Sequence, residues 1–539
     1  MKKTFQKIIG VALIAAMCLG LLAGCGGGGG NSAGELPELG DRYTLDANTP
    51  AYKLDTQESS KLTWYVNADW WNTDWGTDTV TKKIQEDLGL EVEFITGDDT
   101  KLNTLFAGET LPDIITIFDS GSSVANSAAD WAWSLNDLAD KYDPYFYQVA
   151  KPDTLNWFRL SDGKTYGYPG YSNSAADYAS GQLYATTAFV IRKDVYEALG
   201  KPSMKTPEEF LDTLNKIKEQ FPDLIPFGSN SMTSSEGSLG ADFMNYLGVP
   251  IENEDGTWYD RVMDEDYQAW LKVLNQAYRN GCISDDNFSD DGTAHEEKVA
   301  SGRYATIFIG GTPQRSGFLQ TWYSTNPDAQ YIAIDGPAST VGRTPTLSQA
   351  GLSGWTISYI TKQCKDPITA IKTFTYLLTD EAGMLCTYGV EGETYKINDD
   401  GLYELLPEVA AMRDNESEKY KKVYRLGEFL IFGHDRYASF RADPTPSMVQ
   451  INEWGKDKLK PQFILENITP DQGTAEARAL SAINTNWYTT LVAMIRSKDD
   501  ASFDQTLEDF KAFRASNSWD DIVEIYNEKV AANREKLNG

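Results

Sequence analysis

One polar loop of the chain carries three tryptophans among amides and carboxylates. Residues 67–75 contain an amide at Asn67 and indole rings at Trp70, Trp71 and Trp75. Indole rings stack on the C–H face of a sugar ring, and amides and carboxylates pair with its hydroxyls. The loop is therefore a candidate for ligand contact by at least one tryptophan. The alternative is that the three indoles fill a hydrophobic core.

Groups suited to covalent or metal chemistry are scarce. The chain has only two histidines, His295 and His434, which argues against zinc sites and Ser-His-Asp triads. Cys282, Cys364 and Cys386 show no metal-ligand spacing. We expect them to be mostly buried thiols, with a Cys364–Cys386 bridge as the alternative. The sequence predicts no catalytic residue, no bound metal and no cofactor.

Hydrophobic periodicity places the tryptophan loop at the end of a strand. Residues 62–66 read as a strand, 80–88 show helical spacing and 90–94 alternate as a second strand. This β-α-β unit implies a parallel sheet with a right-handed crossover.

A further strand over 111–118 brings two more polar residues to the same edge. Asp119 and Ser120 follow it directly, and ligands of such sheets bind beyond the carboxyl ends of the strands. We expect both residues near the tryptophan loop. A turn or a helix cap is the equally good alternative.

Helix signals recur along the rest of the chain. Thr206-Pro207-Glu208-Glu209 forms a capping box, Asp366-Pro367 opens another helix, and the part from Phe503 is charged and helical. Strands alternating with helices predict an α/β protein.

The N-terminus has the layout of a secretory signal. Three lysines precede an uncharged run over 8–23, and Leu22-Ala23-Gly24-Cys25 resembles a bacterial lipobox. The resemblance implies that residues 1–24 are removed and that Cys25 carries the lipid. We expect the protein on the outer face of the cell membrane. An ordinary signal peptide with an incidental cysteine is the alternative.

Residues 25–58 are predicted to form a flexible tether. Five glycines in a row, Gly26–Gly30, precede polar and proline-containing sequence that cannot bury enough apolar area to order itself.

Composition bounds the possible partners. The chain carries 79 acidic and 48 basic residues, a net charge of −31, and so repels nucleic acid and anionic headgroups. A strongly anionic ligand would need a local basic pocket. The roughly 480 residues after the tether are too many for one core, so two lobes are expected.

Several segments, in order, resemble the family 1 extracellular solute-binding proteins, the large carbohydrate-binding lipoproteins of ABC importers. The matching segments are Gly108–Ile114, Asp162–Pro169, Val190–Asp194, Lys201–Phe210, Lys298–Arg303 and Gly389–Tyr395. The resemblance implies a two-lobed, periplasmic-binding-protein-like α/β fold of type II, with hinge-linked lobes joined by several crossing segments. It implies carbohydrate capture by a monomer and delivery to membrane permease subunits, without catalysis.

The resemblance also suggests how the chain divides between the lobes. Crossings are expected near Gln182–Thr187, Thr306–Gly311 and Gly351–Ser358. The predicted division is 59–185 in lobe 1, 186–307 in lobe 2, 308–352 in lobe 1 and 353–539 in lobe 2.

One departure concerns calcium. Many relatives carry an Asp/Asn-Gly-rich calcium loop before an Ile-Pro, whereas Gln220–Pro226 is short here. It cannot supply the six to eight oxygens that Ca²⁺ needs. We expect no structural calcium at this position.

The crossing segments add further candidate ligand contacts. Trp355 is the main stacking candidate because nearby glycines leave room for its ring; its alternative is a core position between the lobes. Tyr184 lies on the first expected crossing, and Arg315 follows the second. Tyr171, Glu391 and Arg436 are further candidates outside these segments. Glu391 could instead be a turn residue, and Arg436 could pair with a surface carboxylate.

The leading prediction is a lipid-anchored protein that binds an oligosaccharide for an ABC permease. A surface glycosidase or polysaccharide lyase is the first alternative, because an aromatic, acidic cleft also suits those enzymes. Peptide capture, or presentation of a ligand to a sensor, is the second.

Overall fold

The computed structural model describes residues 35–538, with gaps at 58, 231–238, 311–316, 443 and 445. The predicted signal sequence and Cys25 lie outside the described residues. The compact unit that the structure describes begins at Leu39. In the described part of the chain, no helix combines the length and the apolar character needed to cross a bilayer.

Strands and helices alternate along most of the chain, as the periodicity predicts. The strands are β1 (Ser60–Val66), β2 (Leu90–Thr96), β3 (Ile114–Ile117), β4 (Gly167–Gly170), β5 (Ala188–Arg192), β6 (Ile225–Ser229), β7 (Tyr304–Ile309), β8 (Tyr331–Ala333), β9 (Thr356–Ile360), β10 (Tyr395–Ile397) and β11 (Tyr403–Leu405). The helices up to β9 are α1 (Ala51–Leu54), α2 (Thr79–Leu88), α3 (Asp99–Ala107), α4 (Ser123–Asn126), α5 (Ala128–Trp131), α6 (Leu135–Tyr142), α7 (Phe146–Val149), α8 (Pro152–Trp157), α9 (Ala175–Ala179), α10 (Lys193–Ala198), α11 (Pro207–Gln220), α12 (Ala241–Tyr246), α13 (Glu265–Arg279), α14 (Gly292–Ala300) and α15 (Gly317–Thr325). Those after β9 are α16 (Pro367–Leu377), α17 (Asp380–Tyr388), α18 (Pro407–Asn415), α19 (Ser417–Val423), α20 (Pro446–Gly455), α21 (Ala475–Ile495), α22 (Asp500–Ala515) and α23 (Trp519–Asn538).

Lobe 1 is built on a five-stranded sheet of order β2-β1-β3-β9-β4. β1 pairs in parallel with β2 and with β3, which confirms the predicted β-α-β unit. β9 runs antiparallel between β3 and β4. Trp64 in β1 is fully buried, and its ring packs against Phe94 and Phe374. The carboxyl ends of β1, β3 and β4 therefore lie at the edge where β9 begins.

Lobe 2 is built on a four-stranded sheet of order β6-β7-β5-β8. β6 and β7 are parallel, while β5 runs antiparallel to β7 and β8. The predicted capping box at Thr206 and Glu209 starts α11, whose Phe210 and Leu214 enter the core of this lobe. Together the two lobes give the expected α/β class.

The predicted division of the chain after residue 307 is wrong. β7 and β8 both belong to the lobe 2 sheet, so 308–352 does not return to lobe 1. β9 lies in the lobe 1 sheet, and α16 packs there on α6 and α7. The chain re-enters lobe 2 at α20, which packs on β8. Periodicity locates strands but does not reveal which sheet each one joins.

Two of the three expected crossings are present. The chain passes from β4 to β5 through 182–187, and from lobe 2 back to lobe 1 through 351–355. The expected crossing at 306–311 is wrong where the structure describes it, because residues 304–309 form an inner strand of the lobe 2 sheet. A crossing that was not predicted precedes α20.

The predicted tether is too long at its C-terminal end. Asp55 is fully buried and accepts hydrogen bonds from Arg42 at 2.8 Å and from Lys372 of α16 at 2.6 Å. Arg42 also contacts Asp366, the N-cap of α16. Lys372 and Asp366 lie more than 300 residues from their partners in sequence, so the composition of 25–58 does not reveal them. The segment from Leu39 is part of the folded body.

Candidate functional site

Two exposed tryptophans stack on each other at the edge of the lobe 1 sheet. Trp70 follows β1 and Trp355 precedes β9, and their side chains are 61% and 39% exposed. Their ring centroids are 6.0 Å apart, with an interplanar angle of 20°. Exposed large aromatics of this kind are unfavourable in water unless they serve a binding surface. We call the pair the tryptophan platform.

Two further rings support the platform from its edges. Phe118 follows β3 and lies 5.0 Å from Trp355, and Tyr171 follows β4 and lies 5.9 Å from it, both edge-on. These residues meet because β3 and β4 end where the antiparallel β9 begins. Gly354 has a φ of +67°, and a Cβ there would lie 2.4 Å from the carbonyl oxygen of Gly170. Only glycine permits this close approach. This explains why the residue directly before Trp355 is a glycine.

The other two tryptophans of the loop belong to the core. Trp71 is buried, and its ring packs against Phe94 and Phe429. Trp75 is half-buried against the same two phenylalanines, and its indole N–H donates to the carbonyl oxygen of Leu90 at 2.9 Å. The alternative interpretation therefore holds for Trp71 and Trp75, while Trp70 alone among the three faces solvent.

A buried arginine fixes the loop that carries the platform. Arg425 is 1% exposed, and its guanidinium donates to the carbonyl oxygens of Asn72 at 2.6 Å and Asp74 at 2.7 Å. It also lies over the Trp71 ring, 5.6 Å from the centroid. Burial lowers the pKa of Arg425, against the attraction of the nearby Asp78 carboxylate. The loop conformation thus depends on a residue 350 positions away.

Arg425→Lys is expected to weaken ligand binding about tenfold without removing any side chain from the platform. A lysine ammonium cannot donate to both carbonyls from one planar group, so the loop would lose a fixed conformation. The measurement is the dissociation constant of the folded protein for its ligand by titration calorimetry. Arg413→Lys on the exposed helix α18 is the matched control. An unchanged dissociation constant would show that the loop holds its shape without Arg425.

A polar cleft of about 610 Å³ lies beside the platform, between lobe 1 and helix α21. Asp119, the residue after Phe118, forms its lobe 1 side. On the α21 side, beyond Ala477 and Leu480, the lining residues are polar or aromatic and follow at helical spacing: Ser481, Asn484, Thr485, Tyr488 and Thr489. This stripe was not predicted, although polar positions three and four apart on one helix face were visible in the sequence. Burial raises the pKa of the Tyr488 hydroxyl, which therefore stays protonated at neutral pH.

Asp119 and Ser120 connect lobe 1 to the segment that precedes α21. The Asp119 carboxylate accepts from the Gln472 amide at 3.1 Å, and the Asn467 amide donates to Ser120 Oγ at 3.1 Å. Asn467 also donates to Ser353 Oγ in the 351–355 crossing. The turn alternative describes Asp119 as well, since its carboxylate also accepts from the Gly121 backbone N–H.

The 351–355 crossing is held by a buried carboxylate. Glu466 accepts from the backbone N–H groups of Leu352 at 3.0 Å and Ser353 at 2.5 Å. Burial raises the pKa of Glu466, although these hydrogen bonds oppose the shift. Trp355 follows two residues later, so Glu466 anchors the segment that presents one half of the platform.

A second polar cluster anchors the first crossing. Lys151 at the start of α8 donates to the Asp177 carboxylate of α9 at 2.6 Å, and its ammonium lies 2.7 Å from His434 Nε2. Burial opposes ionisation of Asp177, but His434 and Lys151 hold the pKa of Asp177 well below its usual range. Because α9 immediately precedes 182–187, the cluster ties this connector to lobe 1.

The remaining predicted site residues divide as follows. The Asn67 amide donates to Asp99 and accepts from the Tyr65 hydroxyl. Tyr184 is half-buried on the first crossing, where its carbonyl oxygen accepts from Gln349. Arg315 lies outside the described residues.

Glu391 and Arg436 fit their alternative interpretations. Glu391 is exposed in the turn before β10. Arg436 contacts the Asp380 carboxylate and the Tyr437 hydroxyl. Neither is among the residues that form the platform or the cleft.

The structure tests the cysteine prediction, but it does not test the prediction that no calcium is bound. Cys282, Cys364 and Cys386 are free thiols, so the alternative Cys364–Cys386 bridge is not formed. Within the described ranges no group of three or more His, Cys, Asp or Glu side chains could hold a metal ion. That the protein binds no calcium stays a prediction.

The fold is an α/β arrangement of two lobes, each built on its own sheet. No protein-family model matches the sequence, and comparison with curated proteins finds no match either. Several solved structures share this fold, and three of them are binding proteins. The alginate-binding protein AlgQ2 without calcium ion is 17% identical, with a TM-score of 0.62 over 88% of this chain and 99% of that one.

Two further solved structures cover the chain to the same extent. The substrate-binding protein FusA of S. pneumoniae, in complex with kestose, is 16% identical with a TM-score of 0.63, over 88% of this chain and 100% of that one. An HMO-binding, ABC-transporter-associated solute-binding protein of Bifidobacterium longum infantis is 14% identical with a TM-score of 0.66, over 88% and 99%. At these identities the likeness establishes the shared fold.

Proposed function

We propose that the protein captures an oligosaccharide in the cleft between the tryptophan platform and α21, and delivers it to an ABC permease. The stacked, exposed pair of Trp70 and Trp355 is the observation that carries this proposal. The exposed faces of the two nearly parallel rings offer apolar surface to the C–H faces of sugar residues, and the adjoining cleft offers amides and hydroxyls to their OH groups. The named ligands of the structural neighbours, alginate, kestose and HMO, support carbohydrate as the ligand class.

The lining of the cleft favours an uncharged sugar. Asp119 is the one charged side chain among its described lining residues, and no lysine or arginine is among them. A carboxylate beside the ligand disfavours anionic sugars, since like charges in a confined cleft repel. An uncharged oligosaccharide pairs with Asp119 as a hydrogen-bond acceptor without this repulsion.

Lobe closure would couple capture to transport. Within the described residues three crossings join the lobes, and one of them, 351–355, leads directly into Trp355 of the platform. A ligand that contacts both Asp119 and α21 binds the closed arrangement better and so increases its population. A permease that recognises the closed arrangement would then distinguish loaded from empty protein.

The membrane attachment rests on the lipobox. A lipid at Cys25 would leave the segment from Cys25 to Glu38 ahead of the compact unit. Stable anchoring requires more than one acyl chain. Replacing Cys25 by serine should move the protein from the membrane fraction to the medium.

A thermal-shift screen of the full chain tests the proposal. The protein is held in a polyoxyethylene detergent, which contains no sugar, and is mixed with neutral oligosaccharides, acidic oligosaccharides and peptides. A ligand at a hundred times its dissociation constant stabilises the folded state by about 2.7 kcal/mol. A shift with one neutral oligosaccharide class, with no new reducing ends on prolonged incubation, is the expected result. New reducing ends would indicate a glycosidase, and a shift with peptides alone would contradict the carbohydrate assignment.

A further inference from the structure

A second cavity lies between lobe 1 and the C-terminal helix α23. Its volume is about 260 Å³, and it shares no lining residue with the cleft beside the platform. The buried rings of Trp157 and Tyr359 form walls on the lobe 1 side, and Asn533 lines it from α23. Since α23 packs on α21 and contributes Ile522 and Val530 to the lobe 2 core, both lobes border this cavity.

The charge of this cavity contrasts with that of the whole chain. Arg159, Lys529 and Lys536 line it, together with a single carboxylate, Asp471. Asp471 is already bound by Lys529 at 2.7 Å. Arg159 and Lys536 form no ion pair with any carboxylate of the described chain. In a protein with 79 acidic and 48 basic residues, two cations without a carboxylate partner at one cavity create a local site for an anion.

The walls suit a single sugar ring rather than an inorganic ion. The Trp157 ring is buried, and the Lys536 ammonium lies 5.4 Å from its centroid. A ligand in the cavity would therefore be close to an aromatic ring and to a positive charge at the same time. Amide groups of Asn126 and Asn533 line the same space. The volume lies below the range of about 300–1,000 Å³ that holds drug-sized ligands, which limits the occupant to about one monosaccharide.

We propose that this cavity is a second binding site, which takes a monosaccharide acid of the hexuronate class. Arg159 and Lys536 contact the carboxylate, and Trp157 faces the sugar ring. Charge-assisted hydrogen bonds from these cations give the site its preference for the acid over the neutral hexose.

Binding of a ligand in this cavity is coupled to binding of a ligand in the cleft. A ligand that touches lobe 1 and α23 binds some lobe arrangements better than others, and so changes affinity for a ligand in the cleft. By linkage the effect is reciprocal. This coupling rests on the proposed carbohydrate capture, whereas binding of the hexuronate itself does not.

The direct test is titration calorimetry of the full chain, in the polyoxyethylene detergent, with sodium glucuronate, sodium galacturonate and glucose at fixed ionic strength. We expect a hexuronate to bind and glucose to bind at least tenfold more weakly. In Arg159→Gln/Lys536→Gln the hexuronate affinity should fall at least tenfold, because each lost charge-assisted contact contributes about that factor. The matched control is Lys82→Gln/Lys422→Gln, which removes the same charge from exposed positions that do not line the cavity.

A third variant separates this site from the cleft. Trp70→Ala/Trp355→Ala removes the platform and should leave hexuronate affinity within twofold of the unmodified protein. Hexuronate binding that is lost in this variant, or that persists unchanged in Arg159→Gln/Lys536→Gln, overturns the second site. Absence of hexuronate binding overturns it as well, and leaves the oligosaccharide screen unaffected. If a hexuronate binds but the cleft ligand does not, the proposed function fails while the cavity site stands.

Discussion

Trp355→Ala should weaken oligosaccharide binding by about 30- to 1,000-fold. Truncation of a central tryptophan in a binding surface costs about 2–4 kcal/mol, and each 1.4 kcal/mol is a factor of ten in the dissociation constant. Trp355 has three aromatic neighbours, Trp70, Phe118 and Tyr171, so its removal also releases the rings around it. The measurement is titration calorimetry with the oligosaccharide that the thermal-shift screen identifies.

The design of this experiment includes a graded substitution and a matched control. Trp355→Phe keeps an aromatic face and should lose affinity by an intermediate factor. Tyr147→Ala removes an aromatic side chain that is 38% exposed on helix α7 of the same lobe, and should leave binding unchanged. Full affinity in Trp355→Ala, with a normal circular dichroism spectrum, would show that sugar does not stack on the platform.

Trp70 and Trp355 are expected to act as one unit. Their rings are in contact, so removal of either changes the surface that the other presents. Residues in contact show coupling energies of about 0.5–3 kcal/mol in double-mutant cycles. The double variant should therefore lose less affinity than the product of the two single losses. Independent, multiplicative losses would mean that each ring holds a separate sugar residue.

Local structure was predictable wherever periodicity and capping agree. The strand–helix–strand pattern over 62–94 appears as β1, α2 and β2, and the capping box at Thr206 starts α11. In these places hydrophobic spacing and hydrogen-bonding residues specify the same element. The assignment of later strands to lobes failed because β8 and β9 pair antiparallel with strands that are distant in sequence. Nothing in a strand of three to five residues distinguishes its future neighbours.

Of the candidate site, the sequence indicated two rings that the structure leaves exposed. Trp70 and Trp355 were candidates because of their polar or glycine neighbours, and both are exposed; that they contact a ligand stays a prediction. Trp71 and Trp75 have the same sequence context, yet they turn inward because Phe94 and Phe429 provide a pocket for them. Arg425 and the polar face of α21 depend on contacts made only in the folded chain, and α21 follows the platform loop by about 400 residues. The sequence thus indicates which side chains could contact a sugar, while tertiary packing decides which of them remain exposed.

Acid should destabilise the protein through His295. This side chain of α14 is 2% exposed beside the Tyr304 ring, and neither ring nitrogen has a hydrogen-bond partner in the described chain. Burial lowers the pKa of His295 to about 4, although the Asp290 carboxylate opposes the shift. The unfolded chain binds this proton near pH 6.5, so the contribution of neutral His295 is complete above that pH and is lost as pH falls towards 4. The loss amounts to about 3 kcal/mol of unfolding free energy.

Replacement of the histidine isolates this contribution from every other titrating group. The free energy of unfolding in urea is measured at pH 7 and at pH 4 for both proteins. The decrease between these pH values should be about 3 kcal/mol smaller for His295→Leu than for the unmodified protein. Because the chain has only two histidines, proton NMR of His434→Gln reports the titration of His295 alone, and its imidazole signal should stay in the neutral position down to about pH 4. A midpoint near 6.5, or parallel stability curves for the two proteins, would show that the His295 ring reaches solvent. A buried imidazole without a partner therefore makes stability depend on pH, because the folded chain does not bind the proton that the unfolded chain binds.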